Sequence, residues 1–218
     1  HTSYEGGVLE DPSKPAPEEI WQRTKSISAA PEEGENIQID FLQGDPISVN
    51  NQQMSSSEIL NTLNILAGNH GIGRLDLVEN RFTGMKSRGC YETPGGTLLL
   101  KAHRAIESIT LDGQAAHLKD ELMPQYADLI YKGLWWSPER KAIQALIDNT
   151  QEAVSGSIKL NLLKGNIEIV SRESENSLYD ENIVTFEDDE NSYDQSDATG
   201  FIKINALRLK LNSRRNKK

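Results

Sequence analysis

The sequence predicts an α+β fold with an antiparallel or mixed sheet, packed helices and a C-terminal arm, and two observations carry that expectation. Short runs in which apolar and polar residues alternate, such as Ile37-Gln38-Ile39-Asp40-Phe41, come in pairs separated by tight turns. Between these pairs lie longer segments whose apolar residues recur at spacings of three and four, the period of a helix with one buried face. Hairpins interspersed with helices, in place of a regular strand–helix alternation, point to an antiparallel sheet with helices packed on it.

Each element follows from local chemistry. Residues 1 to 36 hold Gly6, Gly7, Pro12, Pro15, Pro17, Pro31 and Gly34, a density of chain breakers that predicts extended, turn-rich backbone with one short helical exception at Glu18 to Thr24. The run from Ile37 and a second run through Ile47 and Val49 flank Gln43-Gly44-Asp45-Pro46 and read as a hairpin. Ser55 and Glu58 form a capping box for a helix over about 56 to 68, which Gly68 closes. Strands over 73 to 81 and 85 to 92 are expected to pair about Thr83-Gly84. Thr93 is positioned to cap the next helix, with Pro94 at its first position and a stripe of Leu98, Ala102, Ala105, Ile106 and Ile109; Asp112-Gly113 is expected to end it.

Helical periodicity resumes through Leu118 and Leu122 to Ile130, with an interruption expected near Pro124. Ser137-Pro138 opens another helix, with Ala142, Ile143, Leu146, Ile147 and Val154 on one side, and Ser155-Gly156 stops it. Ile158, Leu160 and Leu162, a turn at Lys164-Gly165-Asn166, and Ile167 with Ile169 give a second hairpin. Glu187-Asp188-Asp189-Glu190 reads as a solvated acidic loop, because it lacks the ligand frame and central glycine of a calcium loop. Ala206, Leu207, Leu209 and Leu211 precede a basic end, either a helix that packs on a partner or a solvated tail.

Composition narrows the function classes. The chain has 218 residues, 23 bases and 33 acids, for a formal charge of −10. That length suits one large domain with an appendage, and the acidic balance disfavours general nucleic-acid binding. No stretch approaches the roughly 20 apolar residues of a membrane span. A single cysteine, Cys90, excludes an internal disulfide and favours the reducing cytoplasm. The chain opens on His1 without an initiator Met, so it reads as a piece of something longer.

Standard catalytic engines are missing: no Walker loop, no Gly-x-Ser-x-Gly elbow, no zinc-ligand spacing among His1, His70, His103 and His117. Pro94-Gly95-Gly96-Thr97 at a helix start admits two readings, an anion held on free backbone N–H groups or glycines that permit close packing. The segment Glu79 to Glu92 has unusual polar density, with Arg81, Lys86 and Arg88 either supporting an anionic group or paired across strands.

That segment also carries a specific resemblance. Gly71-Ile72-Gly73-Arg74-Leu75-Asp76-Leu77-Val78-Glu79-Asn80-Arg81, then Gly84-Met85-Lys86-Ser87-Arg88-Gly89 and Tyr91-Glu92-Thr93-Pro94-Gly95, strongly resembles the signature of argininosuccinate synthase. Similar stretches run from Ser3-Tyr4-Glu5-Gly6-Gly7 through Gly133-Leu134-Trp135 and Ser137-Pro138-Glu139 to Asp197-Ala198-Thr199-Gly200-Phe201-Ile202. The resemblance implies an ATP-dependent ligase that joins citrulline to aspartate, releasing AMP and diphosphate. It implies that residues 1–196 are the synthetase domain and 197–218 a segment for homotetramer assembly. It implies Ser3, Glu79 and Tyr91 as citrulline contacts, with no acid, base or nucleophile and no metal ligand among them. The family's pyrophosphate loop is not in this sequence, so ATP, with Mg2+, is expected to bind mainly on an N-terminal domain outside it. Taken alone, the stretch could instead serve as a non-catalytic oligomerisation and citrulline-binding module.

Overall fold

The computed structural model describes residues 1–81, 83–181, 183, 194 and 196–215. The chain divides into two compact units, His1–Leu178 and Tyr179–Lys218. The acidic run at 187–190 lies outside the described residues.

The first unit holds two antiparallel sheets. Strands β1 (Thr2–Tyr4), β2 (Glu35–Leu42), β3 (Asp45–Val49) and β4 (Gln52–Gln53) precede helix α1 (Ser56–Asn69). Strands β5 (Arg74–Asn80) and β6 (Lys86–Glu92) lead into helices α2 (Pro94–Thr110), α3 (Gly113–Tyr131) and α4 (Pro138–Gln151), and the hairpin β7 (Gly156–Leu163) and β8 (Asn166–Glu173) closes the unit. The larger sheet has the order β4-β3-β2-β7-β8, and the smaller has β1-β6-β5. The expected α+β class holds, with every strand pairing antiparallel.

The alternation read from sequence becomes the core. Ile37, Ile39 and Phe41 of β2 and Ile158, Leu160 and Leu162 of β7 turn one way, and Ile59, Leu63, Ala67, Leu98, Ala102 and Ile106 of α1 and α2 meet them. Each fully buried Ile, Leu or Phe among them contributes about 1.5–3 kcal/mol. Gly95 is the contact point between the helices: a Cβ there would stand 2.9 Å from the backbone nitrogen of Asn64 and 3.0 Å from the carbonyl of Leu60. Its N–H donates to Asn64 Oδ1 at 2.9 Å. That decides between the two readings of the Pro94-Gly95-Gly96 turn in favour of close packing.

Three local expectations change. Thr93 stands at the N-cap of α2 with Pro94 following, as read, but its side chain makes no capping bond; its ψ of 59° departs from the extended conformation that caps adopt, and its N–H donates to the Gly73 carbonyl at 2.8 Å. Asp112-Gly113 begins α3 rather than ending α2, because the Asp112 side chain accepts from Gln114 and Ala115 N–H. Helix α3 also runs unbroken through Pro124, an exposed position where the carbonyl that proline leaves without a donor can turn to water.

In the second unit, α5 (Ser196–Arg215) is a helix, as one of the two readings of the tail had it. Phe201, Ile204, Leu207 and Leu211 fall at helical spacing and are exposed.

Candidate functional site

The smaller sheet organises the polar segment Glu79 to Glu92 by register. Ser3 of β1 lies opposite Tyr91 of β6, and Glu79 of β5 lies opposite Ser87. Side chains alternate along a strand, so Ser3, Glu79, Ser87, Gly89 and Tyr91 share one face. Thr2, Tyr4, Asp76, Arg88, Cys90 and Glu92 share the other.

The structure thus brings together all three residues singled out from the sequence. Tyr91 Oη donates to Glu79 Oε1 at 3.0 Å. These residues are not directly opposite one another, so the tyrosine must lean along the sheet to reach. Gly89 makes that possible: a Cβ there would lie 2.5 Å from Tyr91 Oη and 2.7 Å from the ring carbon Cε2. An isolated glycine inside a strand is the sequence signal for such an approach, and it went unread. Ser3 stands beside Tyr91 in the register, and the His1 ring lies 6.2 Å from the tyrosine ring at 51°.

Burial pushes the Tyr91 phenol above its ordinary value of 10, and the nearby carboxylates of Glu79 and Glu5 push it the same way. Tyr91 is therefore a neutral hydroxyl at physiological pH and the donor in its bond to Glu79, which accepts. Next to this face is a cleft of about 530 Å³ with Glu5, Gly6, Arg81, Lys86 and Ser87 in its wall. Arg81 Nη2 meets Glu5 Oε2 at 3.2 Å, and Lys86 Nζ donates to Asn80 Oδ1 at 2.8 Å. Both signs of charge border the cleft.

Arg88 has a different task. It forks onto Asp76 with Nε to Oδ1 at 2.8 Å and Nη2 to Oδ2 at 2.6 Å, while Nη1 donates to the carbonyls of Asp11 and Lys14. Its side chain is buried on the opposite face, so cross-strand pairing is the reading that holds for this cation. The guanidinium in turn holds the Asp76 carboxyl below its ordinary value.

Glu92 anchors the same opposite face and is fully buried. Its Oε1 accepts from Thr24 Oγ1 at 2.6 Å, Thr24 N at 2.9 Å and Arg23 N at 3.0 Å; its Oε2 accepts from Tyr4 Oη at 2.7 Å and Gln22 N at 2.9 Å. Burial alone would raise this carboxyl, but the hydrogen bonds from Thr24, Tyr4 and the 22–23 backbone outweigh it and hold it below its ordinary value. Glu92 thereby ties β1, which carries Ser3, to the strand that carries Tyr91. Nothing local marks it for that role, since its partners are distant in sequence.

Cys90 is buried on the same face as Glu92, and burial raises its thiol, so it behaves as a small core residue rather than a nucleophile. Among the described residues no group of three or more His, Cys, Asp or Glu is placed to hold a metal ion. No helix among them is long and apolar enough to cross a membrane.

A family model described as Arginosuccinate synthase C-terminal domain matches residues 1–212. The chain belongs to that family. An argininosuccinate synthase of Alkalilimnicola ehrlichii is 60% identical over 99% of this chain and 54% of its own length. That of Methylobacillus flagellatus is 61% identical over 100% of this chain and 54% of its own, and that of Rhizobium etli 61% over 99% and 53%. The chain spans about half the length of the argininosuccinate synthases it matches. The resemblance read from the motif around Glu79 and Tyr91 is thus a family membership that extends over nearly all of the chain.

Proposed function

We propose that this chain is the synthetase part of an ATP-dependent ligase that joins citrulline to aspartate, and that the face bearing Ser3, Glu79 and Tyr91 receives citrulline. The observation that carries the reading is the Tyr91–Glu79 pair, built across Gly89 and set beside a cleft bordered by charges of both signs. Citrulline is a zwitterion with a neutral ureido end. Glu79 offers a carboxylate to its ammonium, and the hydroxyls of Tyr91 and Ser3 offer bonds to its polar atoms.

None of these groups is an acid, base or nucleophile in this role. Their work is to fix the citrulline backbone so that its ureido oxygen points consistently at the reacting phosphorus, an effect of positioning. ATP is the co-substrate in this reading, and its phosphates and Mg2+ belong to the half of the synthase outside this chain. Assembly as a homotetramer is supported by the apolar stripe of α5, and a cytoplasmic setting by the single buried cysteine.

Exchange of Glu79 for Gln in the complete synthase keeps size and shape but removes the charge. Loss of a charge-assisted hydrogen bond costs about 1.5–3 kcal/mol, so the citrulline KM is expected to rise roughly 10- to 150-fold. An unchanged KM removes Glu79 from the site.

A further inference from the structure

Among the described residues of the smaller sheet, one buried side-chain polar atom is left unused by the fold. Ser87 Oγ is buried, and it has no hydrogen-bond partner among the described residues. The residue is directly opposite Glu79 in the strand register and on the same face as Tyr91 and Ser3. It also lies in the wall of the cleft shared with Glu5 and Arg81.

An ion pair spans the same strand. Glu5 extends β1 on one side of β6, and Arg81 extends β5 on the other, so the ion pair between them at 3.2 Å crosses over β6. The backbone confirms the second half of that bridge, since Arg81 N–H donates to the Met85 carbonyl at 2.8 Å. Both partners of the ion pair are half exposed, with side chains 49% and 48% accessible. Ion pairs of that exposure are weak and readily exchanged.

A buried hydroxyl without a partner opposes folding, and Ala would fill the position at less cost. An atom of this kind beside a cleft is explained when a ligand completes its bonding. We infer that Ser87 is a further substrate contact: its hydroxyl donates to the carboxylate of the amino-acid substrate, uncovered when Arg81 and Glu5 exchange each other for the two charges of the zwitterion. This rests on the assignment of Glu79 and Tyr91 to citrulline, and it adds to that assignment a contact for the opposite end of the charged head group.

The test compares the complete synthase with its Ser87→Ala and Glu79→Gln variants, measuring thermal unfolding and steady-state kinetics with citrulline varied. Ser87→Ala is expected to unfold at the same temperature or higher, because it removes an unsatisfied group. Its citrulline KM is expected to rise roughly 10- to 150-fold, as for one hydrogen bond to a charged group, with the larger part of the change in KM rather than kcat. If Glu79→Gln raises KM and Ser87→Ala does not, the Ser87 contact is overturned while the site stands. A lower unfolding temperature for Ser87→Ala shows that the protein itself holds the hydroxyl, and overturns the contact as well. If neither variant moves KM, the site assignment falls and the contact with it.

Discussion

Replacement of Glu92 by Gln tests whether the opposite face of the small sheet holds the candidate site together. The carboxylate accepts from five distinct donors, Tyr4 Oη, Gln22 N, Arg23 N, Thr24 N and Thr24 Oγ1. An amide keeps one acceptor oxygen and presents two hydrogens where the second oxygen was. Its better orientation keeps oxygen at the Oε1 position, satisfying Thr24 and Arg23, and sets the NH2 against Tyr4 Oη and Gln22 N–H. The tyrosine hydroxyl rotates to accept, but the Gln22 N–H cannot. One buried donor without a partner costs about 1–3 kcal/mol, and the bonds that remain lose their charge assistance. The sum is on the order of 2–4 kcal/mol, or roughly 5 to 15 °C in unfolding temperature for a domain of this size.

The same substitution has a pH signature. The folded Glu92 carboxyl titrates below its ordinary value of 4.5. A carboxyl depressed in the folded state contributes stability that is complete above the unfolded pKa and is lost as pH falls through the folded pKa. The wild-type chain is therefore expected to lose stability as pH drops below about 4.5, and the Gln variant to lose less over that window. Differential scanning calorimetry at pH 7 and across pH 3 to 6 measures both effects. A Glu92→Gln variant within about 0.5 kcal/mol of wild type at pH 7, with an unaltered acid limb, would refute the claim that this carboxylate ties β1 and residues 22–24 to β6.

Other outcomes follow from the same geometry. Gly89→Ala puts a Cβ 2.5 Å from Tyr91 Oη, so the ring must leave Glu79; the citrulline KM is expected to rise about tenfold or more, and a wild-type KM with an intact fold would show that the Tyr91–Glu79 bond is dispensable. Tyr91→Phe removes the hydrogen bond to the Glu79 carboxylate and is expected to raise KM by about tenfold or more, as for a bond to a charged acceptor, read from the same kinetics. Removal of residues 196–215 deletes the exposed stripe of α5 and is expected to lower the oligomeric mass measured by light scattering, whereas an unchanged mass would place the assembly contacts elsewhere.

What was legible in the sequence is what depends on near neighbours. The α1 capping box appears as read, with Ser55 and Glu58 bonded reciprocally. The β7–β8 hairpin appears with its turn at Lys164 and Gly165, both at positive φ. The misreadings have distant causes. Thr93 holds the N-cap position as read, but its side chain makes no capping bond, because a backbone tied by its N–H to Gly73, 20 residues earlier, leaves ψ at 59°. Glu92 looks like one more charge on a surface hairpin until Tyr4 and residues 22–24 fold around it. Glu79 and Tyr91 were found through the motif, but their face was not, because register across two strand pairings decides it. Gly89 was the missed local clue. Its purpose is visible only with the tyrosine ring lying across it.

The proposed role of the chain rests on citrulline being received by the face of Ser3, Glu79 and Tyr91. A crystal structure of the complete synthase with citrulline bound tests it most directly. The prediction is that the citrulline ammonium lies within hydrogen-bond distance of a Glu79 oxygen, with a further polar atom of citrulline in reach of Tyr91 Oη. Citrulline bound at full occupancy away from this face, with the Tyr91–Glu79 bond undisturbed, would contradict it.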